Sequence, residues 1–172
     1  MQLNKEDMYN RIQQLDRDAS LLFEDEARYF VVIVGGGALI MMGYSSRSTQ
    51  DIDVINATKV LIELLEKYDM NTRVTAYQNS FPFNFEDRLS LLWRGKKIDF
   101  YSASLEDIVI AKLCANRPSD DDDLEAAAEY VNWETLERLA LSDDELILNI
   151  MSDFQYGFFL EKYNEYVRRF RP

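Results

Sequence analysis

Six consecutive residues, Tyr29-Phe30-Val31-Val32-Ile33-Val34, offer almost nothing to water, and they stop at three glycines in a row, Gly35-Gly36-Gly37. A run that is apolar at every position has no polar face to expose. It therefore predicts a strand covered on both sides. The glycines allow a tight turn out of that strand, and Ala38-Leu39-Ile40-Met41-Met42-Gly43 reads as a short helix after it. The whole weakly polar stretch from Tyr29 to Tyr44 is 16 residues long and broken by glycine, too short to span a bilayer. The polar start, MQLNKEDMYN, does not resemble a signal peptide, so a cytoplasmic location is the expectation.

Around this strand the chain alternates periods. Met8, Ile12, Leu15, Ala19 and Leu22 put one apolar side on a helix over 4–27. Residues 51–55 read as a second strand after a polar loop over 44–50, and 57–68 as an amphipathic helix. Residues 71–87 show no clear period, and NSFPFNFED within them reads as a loop with aromatic anchors. Residues 88–93 and 97–102 form a hairpin turning at Arg94-Gly95-Lys96. Ser104 with Asp107 opens a helix to about Ala115, Ser119 caps the next to about Val131, and Asn132 caps a short one over 133–140. Ser142 with Glu145 opens a last helical region, kinked near Gly157 and ending at Phe170. Strands fill the first two thirds and helices the last third. The fold class is α+β (mixed α/β): a small mixed sheet flanked by helices, with a helical C-terminal part. The division falls at residues 1–130, with the sheet and the N-terminal helix, and 131–172, a helical extension.

Two counts narrow the chemistry. The 172 residues contain no His and one Cys, Cys114. Ser-His-Asp triads, Cys-His dyads, His-ligated zinc or haem, Cys-cluster metal sites and intramolecular disulfides are excluded. Chemistry must run on carboxylates, Lys and Arg, hydroxyls, backbone amides and a hard metal such as Mg²⁺. The formal charge of −12 speaks against a general affinity for nucleic acid, which needs Lys and Arg to displace counterions.

The glycine run fits part of a dinucleotide fingerprint, with Gly35 and Gly37 in place. The third position is Ile40, bulky where close helix–strand packing wants Gly or Ala, and the chain has no room for a doubly wound sheet. The turn is either a tight connection or a cradle whose amides approach a phosphate at a helix N-terminus. The loop alone does not choose.

Asp51-Ile52-Asp53-Val54-Ile55 is more informative. Side chains alternate in a strand, so Asp51 and Asp53 share one face while Ile52 and Val54 take the other. Asp is a poor strand former, and breaks of a local rule concentrate at functional sites. The plain alternative is a strand end whose carboxylates face water. Asp99, in Lys97-Ile98-Asp99-Phe100-Tyr101, is a third carboxylate inside an apolar strand. If that strand lies beside 51–55, three carboxylates converge, a set able to hold two metal ions for in-line displacement at phosphorus. Asp99 would then accept the proton of an attacking hydroxyl.

Gly-Gly after a strand, a short helix, Asp-x-Asp on the next strand and a third Asp later together resemble the nucleotidyltransferase superfamily of DNA polymerase beta type. The string GGGALIMMGYSSRSTQDIDV resembles more narrowly its AbiEii-like branch, which includes toxins of type IV toxin–antitoxin systems. The residues that carry the likeness are Gly35, Gly36, Ala38, Leu39, Gly43, Arg47, Thr49, Asp51, Ile52 and Asp53. It continues through SLEDIVIAKLCANRPSDDDDL, on Lys112, Arg117, Asp120 and Asp123, and covers roughly residues 29–125. The resemblance implies transfer of a nucleoside monophosphate from an NTP to an acceptor hydroxyl. Asp51, Asp53 and Asp99 would hold Mg²⁺ or Mn²⁺, with Asp99 as ligand or base and Lys112 as a further catalytic group. Gly35, Gly36, Arg47, Thr49, Arg117, Asp120 and Asp123 would bind the nucleotide. The acceptor it implies is tRNA, a protein or a small molecule, with an antitoxin as a possible partner and no membrane. The rival is a non-catalytic nucleotide-binding or regulatory module on the same fold. A degenerate member of that kind would have lost one of the three carboxylates.

Several of these residues carry plainer readings. Lys112 lies on the stripe of Leu105, Ile108, Val109 and Ala115, so its head either snorkels to water or points into a site. The run Asp120–Asp123 either opens a helix and forms a solvated face or lends Asp120 or Asp123 to a site. Arg47 either clamps a phosphate or pairs with a nearby Asp. Phe81, Phe83 and Phe85 either pin a loop to the core or stack on a base. The aromatic residues of the last helix, from Phe154 to Phe170, either cover the core or form a dimer or antitoxin surface. Arg168, Arg169 and Arg171 either touch RNA or complement a helix C-terminus.

Overall fold

A computed structural model of the chain describes residues 1–74, 80–142 and 151–172. Among these residues, seven α-helices and five strands build an α+β fold. The chain divides into two compact units, Met1–Thr75 with Leu89–Ala103, and Ala76–Arg88 with Ser104–Pro172.

The first unit holds the sheet. Its strands are β1 (Tyr29–Val34), β2 (Ile52–Ile55), β3 (Met70–Asn71), β4 (Ser90–Arg94) and β5 (Ile98–Ser102), in the order β3-β2-β1-β5-β4. The apolar run is the central strand, and Val31 to Val34 are fully buried. β1 runs antiparallel to β2 and parallel to β5, so the sheet is mixed. β3 pairs parallel with β2, and β4 antiparallel with β5 across a register shift between Leu91 and Trp93.

Helix α1 (Lys5–Leu22) starts at a capping box of Asn4 and Asp7 and buries Met8, Ile12, Leu15 and Ala19, the predicted stripe. It stops five residues short of the expected end, at Phe23 in extended backbone. Beyond it Lys97 Nζ binds both the carbonyl and the side chain of Asp25, tying the chain to the start of β5. Helix α2 (Gly35–Met42) follows β1 with no intervening loop, so the glycine triplet forms its first turn. Gly43 closes α2 in the left-handed region, φ 85°. Helix α3 (Lys59–Lys67) buries Leu61, Leu64 and Leu65. Each such side chain contributes about 1.5–3 kcal/mol by leaving water.

A carboxylate on α1 holds the hairpin. Asp16, 6% exposed, accepts from the backbone N–H of Lys96, Lys97 and Ile98 at 2.8, 2.8 and 2.9 Å. A Cβ on Gly95 would collide with that carboxylate and with the Ile98 carbonyl.

The second unit is helical among its described residues: α4 (Leu105–Ala115), α5 (Asp121–Ala128), α6 (Trp133–Leu141) and α7 (Asp153–Phe170), with 3₁₀ turns at Phe85–Arg88 and Pro118–Asp120. Ser104 and Asn132 cap α4 and α6 as expected. Helix α5 starts one residue later than a cap at Ser119 would set it, because Pro118 opens a 3₁₀ turn instead. Helix α7 starts at a capping box of Ser152 and Gln155 and runs unbroken through Gly157. Ser142, predicted to open the last helical region, instead ends α6 as its C-cap, and its expected partner Glu145 lies outside the described residues. Asp107, fully buried, takes a bidentate pair of bonds from Arg88 at 2.9 and 2.8 Å. Phe81 and Phe85 stack on each other and are buried, whereas Phe83 is exposed. On α7, Phe159, Tyr163 and Tyr166 are buried, and Tyr156 and Tyr166 donate to the carbonyls of Ala140 and Leu124. Phe154 and Phe158 stay exposed. No helix among the described residues is long and apolar enough to cross a membrane.

Candidate functional site

The site begins where β1 becomes α2. Val34 pairs with Asp53 across the antiparallel β1–β2 ladder. That register sets the Asp53 carboxylate beside the first turn of α2. A Cβ on Gly35 would lie 3.1 Å from Asp53 Oδ2, and Gly35 has φ +67°. Both the conformation and the space therefore require glycine. The other carboxylate oxygen, Oδ1, accepts from Asn71 Nδ2 at 2.8 Å. Gly37 meets Met8 Cε and the backbone of Asp51 and Ile52, so α2 packs tightly over the start of β2. Helix α2 has no side-chain cap and no acidic residue in its first turn. Its leading N–H groups and dipole thus favour an anion supplied from outside.

Asp51 is exposed and lies one residue before β2. Strand alternation turns it to the same face as Asp53, while Ile52 and Val54 are buried on the other. Thr49 Oγ1 donates to the Asp51 carbonyl at 3.0 Å, and the Thr49 backbone bridges to Leu3. Arg47 is exposed, its N–H on Ser45 Oγ at 3.3 Å. The structure thus gathers Gly35, Gly36, Asp51 and Asp53 at one end of the sheet, with Thr49 and Arg47 on the loop leading in.

Asp99 does not join them, which corrects the expected convergence. Strand β5 pairs with β1, not with β2, and Asp99 is level with Phe30 whereas Asp53 is level with Val34. Both carboxylates share a face, but four positions of β1 separate them, about 13 Å along the strand, and two strand spacings add roughly 9.5 Å across it. Asp99 instead forms an ion pair with Arg28 at 2.6 Å and lies 3.8 Å from Arg94. Arg28 also donates to the carbonyls of Gly95 and Lys96. Asp99 therefore sits between two arginines beside the turn of the β4–β5 hairpin. Among the described residues no three acidic, Cys or His side chains form a metal-holding group.

The later motif residues meet one another in the helical unit. Lys112 Nζ, 3% exposed, lies 2.7 Å from Asp120 Oδ1 and 3.0 Å from Asp123 Oδ2. Arg117 donates to Asp120 through Nε at 2.9 Å and Nη2 at 3.3 Å. Lys112 therefore does not snorkel. The acidic run splits: Asp120 and Asp123 are buried and paired, while Asp121 and Asp122 are exposed. Removing one partner would strand a buried charge. Cys114 follows on α4, and burial pushes its thiol up to about 12.

Two residues escaped the sequence reading. Asn71 belongs to a two-residue strand, too short to show alternation. Asp16 was discoverable, because it sits four residues after Ile12 and three before Ala19, inside the apolar stripe of α1.

A two-carboxylate set suits Mg²⁺, which keeps several waters and takes substrate phosphates rather than an all-protein cage. Asp51 and Asp53 fit that pattern, beside a helix start open to phosphate. Comparison with protein families matches residues 10–171 to one described as "Nucleotidyltransferase of unknown function (DUF6036)". No curated protein and no solved structure matches the chain.

Proposed function

The chain belongs to this family of nucleotidyltransferases, and we propose that it transfers a nucleoside monophosphate from an NTP to an acceptor hydroxyl at the β1–α2 turn, with Asp51 and Asp53 as the ligands of Mg²⁺ or Mn²⁺. The observation that carries the reading is the Asp53 carboxylate lodged against Gly35 at an uncapped helix start. Asp51 and Asp53 would hold such a metal, whose chemistry there would be to offset the charge of phosphate oxygens and make the phosphorus more electrophilic. The N–H groups of the first turn of α2 receive the triphosphate. Arg47, exposed on the loop before Asp51, adds positive charge to the same end.

The acceptor oxygen bonds to the α-phosphorus as the bond to the β-phosphate oxygen breaks and pyrophosphate leaves. The acceptor's proton falls to Asp51, the exposed carboxylate of the pair, since Asp99 lies at the other end of the sheet. Lys112, Arg117, Asp120 and Asp123 serve as a framework of paired charges in the helical unit. The net charge of −12 favours a protein or small-molecule acceptor over tRNA. Arg169 and Arg171 have carboxylate partners in Glu125 and Glu137, which leaves the C-terminal cluster less suited to RNA. The likeness of residues 35–53 to AbiEii-like toxins extends the proposal to a toxin–antitoxin pair, with exposed Phe154 and Phe158 as the surface for the antitoxin or a second copy.

One observation favours a second reading, a non-catalytic nucleotide-binding module: the sheet brings two carboxylates together and not three. Label transfer separates the two. The protein is incubated with each α-labelled NTP, Mg²⁺ or Mn²⁺, and a pool of cellular RNA, protein and small molecules, beside Asp53→Ala. Label on an acceptor with wild type alone supports the transferase. Nucleotide binding without transfer supports the module.

A further inference from the structure

We infer that Asn71 is a positioning residue for the metal-binding carboxylate, fixing the direction of Asp53 without cancelling its charge; this rests on the nucleotidyltransferase reading. Asn71 is level with Asp53 in the parallel β2–β3 pair. Its Nδ2 donates to Asp53 Oδ1 at 2.8 Å, and its own Oδ1 accepts the backbone N–H of Arg73 at 3.2 Å. The second bond settles which way the amide faces. Flipping it would set two acceptors against each other at Asp53 and two donors against each other at Arg73. The Asp53 carboxylate is thereby held edge-on, with Oδ1 on Asn71 and Oδ2 facing the α-carbon of Gly35.

The residue type matters. A lysine or arginine here would form an ion pair and compete with any cation for the same carboxylate. A neutral amide orients the group without itself neutralising it. This is the role that outer partners play in metal sites, where their loss typically costs 10–100-fold in metal affinity. Asn is also a poor strand former, so local propensity does not explain it in β3. In this two-residue edge strand the Asn71 side-chain N–H donates to Asp53 and its side-chain carbonyl accepts from the backbone N–H of Arg73.

The test is Mn²⁺ binding followed by electron paramagnetic resonance, with the α,β-methylene analogues of the four NTPs added one at a time. Asn71→Leu keeps the branched outline and heavy-atom count of the side chain and removes the donor. It should weaken Mn²⁺ binding by roughly 10–100-fold, with circular dichroism unchanged. Asn71→Lys should abolish binding in a folded protein, and it carries the test if the leucine variant does not fold. In an Asp53→Asn background, Asn71→Leu should add no further loss, because its effect runs through Asp53. Wild-type Mn²⁺ affinity in Asn71→Leu or in Asn71→Lys overturns the inference, as does an equal extra loss in the Asp53→Asn background. If the wild-type protein binds no Mn²⁺ with any analogue, the nucleotidyltransferase reading itself fails and takes this inference with it.

Discussion

Replacing Asp99 by Asn should cost stability and leave transfer intact. The carboxylate faces Arg28 at 2.6 Å and Arg94 at 3.8 Å, and its side chain is 12% exposed against 48% for Arg28. A half-exposed guanidinium keeps much of its hydration, so the pair is worth less than a buried one, about 1 kcal/mol. Arg28 also retains the Gly95 and Lys96 carbonyls in the variant. For a chain of this length, 1 kcal/mol lowers the melting midpoint by about 2–4 °C. Turnover is another matter. An aspartate oxygen reaches about 3 Å from its Cα, and the Cα atoms of Asp99 and Asp53 lie roughly 16 Å apart, about 13 Å along the strand combined with about 9.5 Å across it. Two side chains reaching toward each other cannot share one ion at ~2 Å from each, nor two ions ~4 Å apart. Label transfer by Asp99→Asn, measured well below its midpoint, should stay within about threefold of wild type. Asp53→Asn should lose at least a hundredfold, about 3 kcal/mol of barrier, with a smaller effect on the midpoint. The reasoning is refuted if Asp99→Asn loses a hundredfold in transfer while its midpoint moves by less than about a degree.

Three further outcomes follow from other parts of the structure. Asp16→Ala removes the acceptor of three hairpin amides and strands the buried N–H groups of Lys97 and Ile98, so urea unfolding should show a loss of about 2–5 kcal/mol; a loss under 1 kcal/mol would mean that the hairpin holds without α1. Lys112→Met leaves Asp120 and Asp123 buried without their shared cation, and should cost about 3–5 kcal/mol by the same measurement, whereas a neutral result would mean that water enters the cluster. Cys114, with its thiol pushed up to about 12 by burial, stays protonated across neutral pH, since a raised thiol pKa depletes the thiolate; iodoacetamide at pH 8 should label it about a hundredfold more slowly than an unfolded control and faster as pH rises, and labelling at the control rate would show the thiol to be open.

The contrast between Asp53 and Asp99 shows what a single sequence reveals here. Strand alternation is a property of two neighbouring residues, so it is written in the chain. It put Ile52 and Val54 on the face opposite the aspartates, where both are buried, and the unbroken apolar run separately predicted a buried strand, where Val31–Val34 are buried. The fold class and the caps at Ser104 and Asn132 are legible for the same reason, because each cap acts within three residues of itself. Register is not local. Whether Asp99 stands beside Asp53 or at the far end of the sheet depends on which strand lies next to which, and on the level at which they pair. Alternation is blind to a shift of four residues, because an even shift keeps every side chain on the same face. That Asp51 and Asp53 share a face was therefore readable; where Asp99 stands relative to them was not.

Asn71 marks the other limit. Its partner is 18 residues away on a strand of two residues, so neither periodicity nor a cap announces it. The Lys112 network lies between these cases. Ile108 and Val109 made a lysine on that helix face conspicuous, and the acidic run was plain in the chain. Only the turn at Asn116, in the left-handed region, and the 3₁₀ step at Pro118 bring Asp120 and Asp123 back over α4 to meet it. A charged residue on an apolar face thus states that a partner must exist, because burying the charge alone would be too costly. It does not say whether that partner is a substrate or another side chain. At Lys112 the partner is two aspartates, and this is why the functional argument rests on the carboxylates of β2, at a helix start with no side-chain cap of its own.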